Sequence, residues 1–308
     1  MTLSTTSLSA PPVEPQTLPS LWQHQAHADL KWILDSAPLF EGPDGLGELA
    51  GIHGKVNSVP STSLTSHLKT PPSRRVGLYF ESLLSPWLIQ GLQLELEAHH
   101  LQVFENGRTV GEIDFSVRDP QGIRWRLEST IKFYLHYPSS NSADGSSFIG
   151  PDPRDSFERK YAHLTERQLR LRVPELGQPD HALPIARGIL FYHLADRHNS
   201  QRPAKANPKH IRGLWMKASE WAGFCDLPSG VERVINLPKP FWISGASNPG
   251  LTSRELTLTE ATNALKAHFS CSRTALMLSL QGSSGKGFCE KWRCIIVDDT
   301  WPNCDLRS

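Results

Sequence analysis

"VGEIDFSVRDPQGIRWRLESTIKFYL", from Val110 to Leu135, decides the fold because it contains two strands and the turn that joins them. Branched and aromatic residues alternate with polar ones along both arms, which is the pattern of strands with one buried face. The polar positions include three acidic residues and one lysine, namely Glu112, Asp114, Glu128 and Lys132. The simplest interpretation is an amphipathic hairpin with a solvated face and incidental charges.

The turn between the two arms predicts their register. "DPQG" (119–122) favours a type I turn that ends in a glycine with left-handed backbone geometry. A three-residue loop of this kind makes Asp119 and Ile123 partners. Counting back from that pair, we expect Asp114 opposite Glu128, at a Cβ separation of roughly 5 Å.

This register predicts a metal site as the alternative to the solvated hairpin. Two carboxylates at this distance repel each other, and a divalent cation removes that cost. A small number of oxygen ligands favours Mg²⁺ or Mn²⁺. Lys132 lies two pairs further along the same face, where a lysine can orient an attacking water or stabilise charge on a phosphate. The same count places Glu112 opposite Thr130, beside the carboxylate pair.

The predicted elements around this hairpin follow the order helix, three strands, helix, strand. Residues 1–20 are rich in Ser, Thr and Pro and are expected to form a loose tail, and residues 41–72 a long surface loop. The predicted elements are a helix from about Ser73, strands at about 99–104, 108–118 and 123–136, a helix at about 153–172 capped by Asp152, and a strand at 186–194.

The last third of the chain is expected to continue the core. We predict a core domain over 21–194 and an α+β extension over 195–308 that packs on it. Within the extension, the pattern indicates a helix at 257–269 and strands at 274–280 and 291–299.

Composition narrows the class of protein. The 308 residues are 38% hydrophobic and 20% charged, which allows a substantial core and excludes wholesale disorder. The net charge of +1 provides no global basic field, so nucleic-acid binding has to come from local patches. No apolar stretch is long enough to span a membrane, and no secretory signal is present. Five irregularly spaced cysteines favour free thiols, so we expect a cytoplasmic protein of undetermined oligomeric state.

Two further motifs bear on ligands. "QGSSGKGF" (281–288) lacks the first glycine of a phosphate-binding loop and a hydroxyl residue after its lysine, so no nucleotide cofactor is expected. "RPAKANPKHIRGLWMK" (202–217) mixes basic residues with a tryptophan. Arg212 and Trp215 are therefore candidate nucleic-acid contacts, the alternative being a solvated loop that leads into a regular element.

His99 is a further candidate near the start of the first strand. "NG" at 106–107 is a strong hairpin signal, and its register pairs His99 with Asp114. That position leaves open a metal or proton-transfer role for His99, beside the simpler alternative of a surface histidine at a strand end.

The element order, with Asp114 on the second strand and Glu128 followed by a lysine on the third, resembles the PD-(D/E)XK nuclease superfamily. Over about residues 21–302 the chain resembles more specifically an uncharacterised bacterial family, the domain of unknown function 1853. The stretches that carry this resemblance are "VGLYFESLL" (76–84), "LQVFENGRTVGEIDFSVRD" (101–119), "RLESTIKFYL" (126–135), "DSFERKYAHLTERQL" (155–169), "HIRGLWM" (210–216), "WISG" (242–245) and "VDDTWP" (297–302).

The superfamily resemblance implies magnesium-assisted hydrolysis of phosphodiester bonds in DNA. It also implies an α/β (α+β) fold with a restriction-endonuclease-like αβββαβ core, in which helices flank a mixed central sheet. By this resemblance Asp114 and Glu128 bind Mg²⁺ or Mn²⁺, Glu81 joins them from the first helix, and Lys132 positions the water. The backbone carbonyl of Ser129 or Thr130 is a further possible ligand.

The second helix is expected to contribute to the same site. Helical spacing places Gln168 on the inward face with Lys160 beside it. Together with Glu112 and Thr130, these are candidate supporting or substrate contacts. One departure is that the lysine follows the glutamate by four residues, whereas the superfamily pattern places it at the position of Thr130. The alternative is therefore an inactive relative that binds nucleic acid or a protein partner.

Overall fold

A mixed sheet organises the part of the chain that the structure describes. This structure is a computed structural model, and the residues that it describes are 18–53, 64, 73–137, 147–221, 228, 230–245, 255–285 and 287–303. Most of the predicted tail at 1–20 lies outside these residues. The first helix begins at Leu18.

Ten strands form the sheet. They are β1 (Glu95–Glu105), β2 (Arg108–Arg118), β3 (Arg124–His136), β4 (Phe148–Ile149), β5 (His181–His193), β6 (Ile211–Lys217), β7 (Arg233–Leu237), β8 (Glu255–Thr257), β9 (Leu276–Ser284) and β10 (Gly287–Val297). Their order is β1-β2-β3-β5-β6-β10-β9-β7-β8, with the short β4 added to β3. The central pairs β3–β5, β5–β6 and β6–β10 are parallel, and the flanking pairs are antiparallel. The fold is therefore mixed α/β.

Five helices accompany the sheet within the described residues. They are α1 (Leu18–Asp35), α2 (Gly45–His53), α3 (Val76–Pro86), α4 (Phe157–Ala162) and α5 (Leu258–Phe269). Helix α3 buries an apolar stripe that includes Phe80, Leu83 and Leu84, and a π-helical turn follows its last residue, Pro86. The α-helical ladder ends here because proline lacks the N–H that would continue it.

The two hairpin turns form as their sequences predict. Asn106 and Gly107 both take positive φ angles of 51° and 73°, and Glu105 pairs with Arg108 across this turn. In the second turn Gly122 has a φ of 85°. There the Asp119 N–H donates to the Ile123 carbonyl at 2.9 Å, which closes the three-residue loop.

Two local predictions were wrong. Helix α2 lies inside the segment predicted as a loop, because Leu46 and Leu49 are buried against the sheet despite the glycine-rich sequence around them. The second predicted helix begins later than expected. Its cap is Ser156, whose hydroxyl accepts from the Arg159 N–H, while the backbone at Asp152 is in a turn that precedes the helix.

The last third of the chain continues the same sheet. Strand β6 pairs in parallel with both β5 and β10, which joins the C-terminal strands to the N-terminal ones. The largest apolar cluster draws on both parts, with Phe115 and Leu127 from the first and Met277 and Ile295 from the last. The predicted helix at 257–269 is confirmed as α5, and a capping box between Thr257 and Glu260 starts it.

Candidate functional site

The carboxylates of Asp114 and Glu128 lie where β2 and β3 begin to separate. The ladder between these strands ends at the pair Phe115 and Leu127, in the register that the turn predicts. One step beyond, the Asp114 Oδ2 accepts from the backbone N–H of Ser129 at 2.7 Å and from its hydroxyl at 3.1 Å. Asp114 and Glu128 are therefore neighbours just beyond the end of the β2–β3 ladder that lies away from the turn. Their exposed fractions are 8% and 0%.

Glu128 is only half partnered. Its Oε2 accepts from the Gln168 Nε2 at 3.2 Å, but its Oε1 is buried and has no hydrogen-bond partner among the described residues. Burial, followed by the charge of Asp114, raises the pKa of Glu128 to about 9. Burial also raises the pKa of Asp114, against the hydrogen bonds from Ser129. The Asp114 and Glu128 carboxylates therefore have too little positive charge and too few hydrogen-bond donors around them to hold both in the ionised form at their ordinary pKa values.

Glu81 on α3 faces the same region and is largely buried. Its side chain is 14% exposed. Burial, then the charges of Asp114 and Glu112, raise the pKa of Glu81 to about 8, and the charge of Lys160 opposes this shift. The structure thus brings the Glu81 carboxylate of α3 towards the carboxylates on β2 and β3, as the superfamily resemblance implies.

Lys160 and Arg126 are cations that act on these carboxylates: both oppose the raised pKa of Glu128, and Lys160 also acts on Asp114 and Glu81. Its Nζ donates to the Gln168 Oε1 at 3.0 Å, and the Gln168 amide in turn donates to Glu128. Burial and the nearby Lys132 charge lower the pKa of Lys160, whereas the charges of Asp114 and Glu128 raise it. The expected supporting pair of Lys160 and Gln168 therefore does reach the carboxylates.

Lys132 is held elsewhere. Its Nζ donates to the Asp155 Oδ2 at 2.6 Å, and the two side chains are 29% and 34% exposed. The reason is that Lys132 follows Glu128 by four residues. It therefore lies one same-face position beyond Thr130, where the superfamily pattern has its lysine. Thr130 occupies the intervening position, where it is buried and pairs with Ala186 of β5.

Two histidines and Glu112 extend the site along β1 and β2. The imidazole rings of His99 and His100 stack with centroids 3.9 Å apart. His100 has a φ of 53°, and this left-handed backbone breaks the alternation that normally sends neighbouring strand side chains to opposite faces. The His100 Nδ1 lies 3.0 Å from the Glu112 Oε1, and its Nε2 lies 3.4 Å from the Glu81 Oε2.

The predicted partner of His99 was wrong by one residue. His99 pairs with Phe115 and stacks on its ring at 4.5 Å, because the β1–β2 register shifts between Val103 and Phe104. Burial lowers the pKa of His99 to about 4. The Nε2 atom of His99 is buried without a hydrogen-bond partner within the described part of the chain.

Arg212 and Trp215 are not part of this cluster, which corrects their expected role as nucleic-acid contacts. Trp215 is 3% exposed, and its indole N–H donates to the His136 carbonyl at 3.0 Å, so its ring is unavailable for stacking on a base. Arg212 lies over the Tyr192 ring and donates to the carbonyls of Arg197 and Asn199. Both residues stabilise the region around β6.

The carboxylates fit a hard divalent cation on their own geometry. Glu128 presents a buried oxygen without a donor, and Asp114 is fixed by two hydrogen bonds on one oxygen. Carboxylate oxygens of this kind are the ligands that Mg²⁺ and Mn²⁺ prefer. Burial and the neighbouring carboxylates raise the pKa values of Glu81 and Glu128, and a bound cation would lower them.

The chain belongs to the family described as Domain of unknown function (DUF1853), whose model matches residues 16–297. Comparison with curated proteins and with solved structures gives no match. Among the described residues, no helix combines the length and the apolar character that crossing a membrane requires.

Sequence reasoning missed the contribution of His100 and the contact between Lys132 and Asp155. A shift in strand register and a left-handed residue inside a strand have no clear local signature, so His100 could not be placed. Asp155 stands just before the Ser156 cap, and the Asp152-Pro153 pattern directed attention to an earlier helix start. The hydroxyl pattern at Ser156 was the signal that could have corrected it.

Proposed function

We propose that this protein is a magnesium-dependent phosphodiesterase that hydrolyses DNA, with the cation held by Asp114 and Glu128. The observation that carries the proposal is the buried, unpartnered Oε1 of Glu128 beside the Asp114 carboxylate. A fold gains nothing from leaving two acidic groups buried with too few donors, so the arrangement indicates a missing positive ligand.

The order of elements supports this proposal. Helix α3 is followed by the antiparallel strands β1, β2 and β3, then by the short β4 and helix α4, and then by β5, which pairs in parallel with β3. This is the αβββαβ order that the resemblance to PD-(D/E)XK nucleases implies. Asp114 and Glu128 lie on the second and third strands, and Glu81 lies on the preceding helix, as that resemblance requires.

The residues of the chain have separable roles in this proposal. A bound magnesium ion supplies Lewis-acid stabilisation of phosphate charge and a more acidic water. Ser129 fixes the Asp114 carboxylate, and Gln168 fixes that of Glu128. Lys160, which lies in the field of both carboxylates, is the ammonium that we assign to the phosphate oxygens. Lys132 has a strong partner in Asp155 and contributes charge from a greater distance.

The contact of Lys132 with Asp155 also favours a second candidate, an inactive relative that binds nucleic acid or a protein partner. In that case Lys132 has a structural role, because its ion pair with Asp155 connects β3 to the segment before α4. The two candidates differ in whether Lys160 has replaced Lys132 near the carboxylates.

Cleavage assays with matched variants separate the two candidates. Labelled single-stranded, duplex and branched DNA would be incubated with the wild type and with Glu128→Gln, Lys160→Ala and Lys132→Ala, in magnesium and in manganese. We expect Glu128→Gln to abolish cleavage and Lys160→Ala to reduce it by about 10²–10³-fold. Asp35→Asn, which changes an exposed aspartate, is the control and should retain full activity.

Calorimetry tests the metal site without a substrate. Manganese should bind to the wild type with release of protons, because Glu128 has a raised pKa that a cation lowers. Binding should be lost in Asp114→Asn. Cleavage-free DNA binding that is unchanged in Asp114→Asn would favour the inactive module instead.

A further inference from the structure

We propose that Glu81, His99 and His100 form a second metal site, selective for a borderline cation such as Zn²⁺. One ligand atom from each of these residues lies within 4.8 Å of the other two. The site goes beyond the phosphodiesterase proposal, because it uses imidazole nitrogens and contains neither Asp114 nor Glu128. It assigns Glu81 to the histidines rather than to the carboxylate pair.

The tautomer of His100 supports a metal-binding Nε2. Its Nδ1 lies 3.0 Å from the Glu112 Oε1, so an N–H at this position donates to a carboxylate. The Nε2 then carries the lone pair and points towards Glu81. Metal-binding histidines commonly donate their second ring N–H to a carboxylate in this way, which fixes the ring and raises its basicity.

The spacing of the ligand atoms fits a first coordination shell. The His100 Nε2 and the Glu81 Oε2 are 3.4 Å apart. Two atoms bound to zinc at ~2.1 Å across a tetrahedral angle lie roughly 3.4 Å from each other. A shared metal ion therefore needs little movement of these two groups.

The third ligand is one of the two ring nitrogens of His99. The Nε2 of His99 is buried and has no hydrogen-bond partner among the described residues. Its ring is fixed between Phe115 on one side and the ring of His100 on the other, at centroid distances of 4.5 Å and 3.9 Å. A buried nitrogen that accepts nothing is costly unless a ligand satisfies it.

The backbone conformation of His100 also favours the contact between the His99 and His100 rings. Consecutive residues of a strand normally face opposite sides of the sheet, and only the positive φ of His100 brings the two rings together. A non-glycine residue with this conformation inside a strand is strained. With two imidazoles and one carboxylate from the protein, one position of a tetrahedral zinc stays open for water or a substrate oxygen.

Zinc K-edge X-ray absorption on the full-length protein, loaded with one equivalent of Zn²⁺, tests the site directly. We expect a shell with two imidazole nitrogens and carboxylate or water oxygens. An all-oxygen shell, or one that contains sulfur from the cysteines, would overturn the proposal. This measurement needs no variant, so it stands even where a substitution disturbs folding.

Zinc affinities of matched variants complete the test. Glu112→Gln should weaken binding by about 10–100-fold, as expected for the loss of a supporting carboxylate. The double variant His99→Gln/His100→Gln should weaken it further. His193→Gln is the control, since His193 also pairs with a carboxylate, Glu220 at 3.0 Å, but lies at the end of β5.

The outcome is distinguishable from that of the phosphodiesterase proposal. Glu128→Gln should leave the zinc affinity within about twofold, as expected for sites that share no ligand. Zinc binding that survives in the double histidine variant overturns the second site. A protonated His100 that bridges Glu81 and Glu112 is then the remaining account of this cluster.

Discussion

Two groups of buried carboxylates within the described residues have different surroundings. In the first region, the Asp44 carboxylate accepts two hydrogen bonds from the Arg187 guanidinium, at 2.8 and 2.9 Å. Nearby, Asp29 accepts from Gln25, Tyr79 and the backbone of Ser244, each at 2.8 Å. These groups are fully partnered and connect helices and loops to the sheet.

The second region contains Asp114, Glu128 and Glu81, which are less well compensated. One oxygen of Glu128 has no donor among the described residues, and the pKa values of Glu81 and Glu128 are raised to about 8 and about 9. The contrast shows that this fold can satisfy a buried carboxylate where stability alone is concerned. The poorer compensation at the second region is the observation on which the proposed cation site rests.

The largest effect should come from breaking the satisfied pair. Arg187→Met leaves Asp44 buried without its cation, and we expect the free energy of unfolding to fall by about 3–5 kcal/mol. Urea denaturation measures this change. A loss below about 1 kcal/mol would remove the distinction between the two regions. The double variant Arg187→Met/Asp44→Leu should recover part of the loss, since no buried charge then remains.

Neutralising Glu128 in the second region should change stability by a smaller amount and in the opposite direction, so that stability increases. Glu128 ionises near its ordinary value of 4.5 when unfolded but at about 9 when folded, so between these values the folded state binds more protons. Stability therefore falls as pH rises. In chelator, we expect the wild type to be about 2 kcal/mol less stable at pH 8 than at pH 6.

Glu128→Gln should flatten that pH dependence and make the protein more stable than the wild type at pH 8. Magnesium should restore the stability of the wild type at pH 8, because a ligand that binds only the folded state stabilises it. Thermal unfolding across this pH range, with and without magnesium, measures both effects. A wild type that gains stability between pH 6 and pH 8 in chelator would contradict the sign of the shift.

A third prediction concerns the group that fixes Asp114. Ser129→Ala removes the hydroxyl donor at 3.1 Å and keeps the backbone donor, so we expect a loss of about 1 kcal/mol. The control is Ser85→Ala, since Ser85 is similarly buried but makes no side-chain hydrogen bond within the described residues. Equal losses in the two variants would show that the contact with Asp114 contributes nothing specific.

The smallest effect is expected at the surface. Lys31 and Asp35 form an ion pair one helical turn apart, with side chains 71% and 54% exposed. Lys31→Met should change the free energy of unfolding by less than about 0.5 kcal/mol, because solvent screens the pair. Measured beside Arg187→Met, it shows how strongly burial determines the effect of losing a partner.

Much of the candidate site could be predicted from the sequence because short-range rules set its geometry. The turn at 119–122 fixed the register that makes Asp114 and Glu128 neighbours, and the ladder is in that register. Helical spacing placed Gln168 on the inward face, although a π-helical turn interrupts the helix between Ala162 and Gln168. The expectation of a solvated polar face on β3 was wrong, because both faces of this strand are buried and only Arg124 and Lys132 are partly exposed.

Other features depend on contacts between distant parts of the chain. The choice of Lys160 over Lys132 depends on Asp155, which captures Lys132, and on the approach of α4 to β3. Helix α2 forms in a glycine-rich segment where Leu46 and Leu49 are buried, and Asp44, just before the helix, pairs with Arg187, 143 residues away along the chain. No local pattern carries such information, since propensity is weaker than a buried ion pair.

By itself, the sequence determined six of the ten strands, the two turns, the register of the central hairpin and the acidic pair on its two strands. These depend on alternation and on backbone angles that a few adjacent residues impose. Only the tertiary structure decided that Glu128 keeps an unpartnered oxygen, that Lys160 is a nearby cation, and that His99 and His100 face Glu81. Burial and charge compensation are sums over all neighbours, and neighbours that are distant in sequence are known only once the chain is folded.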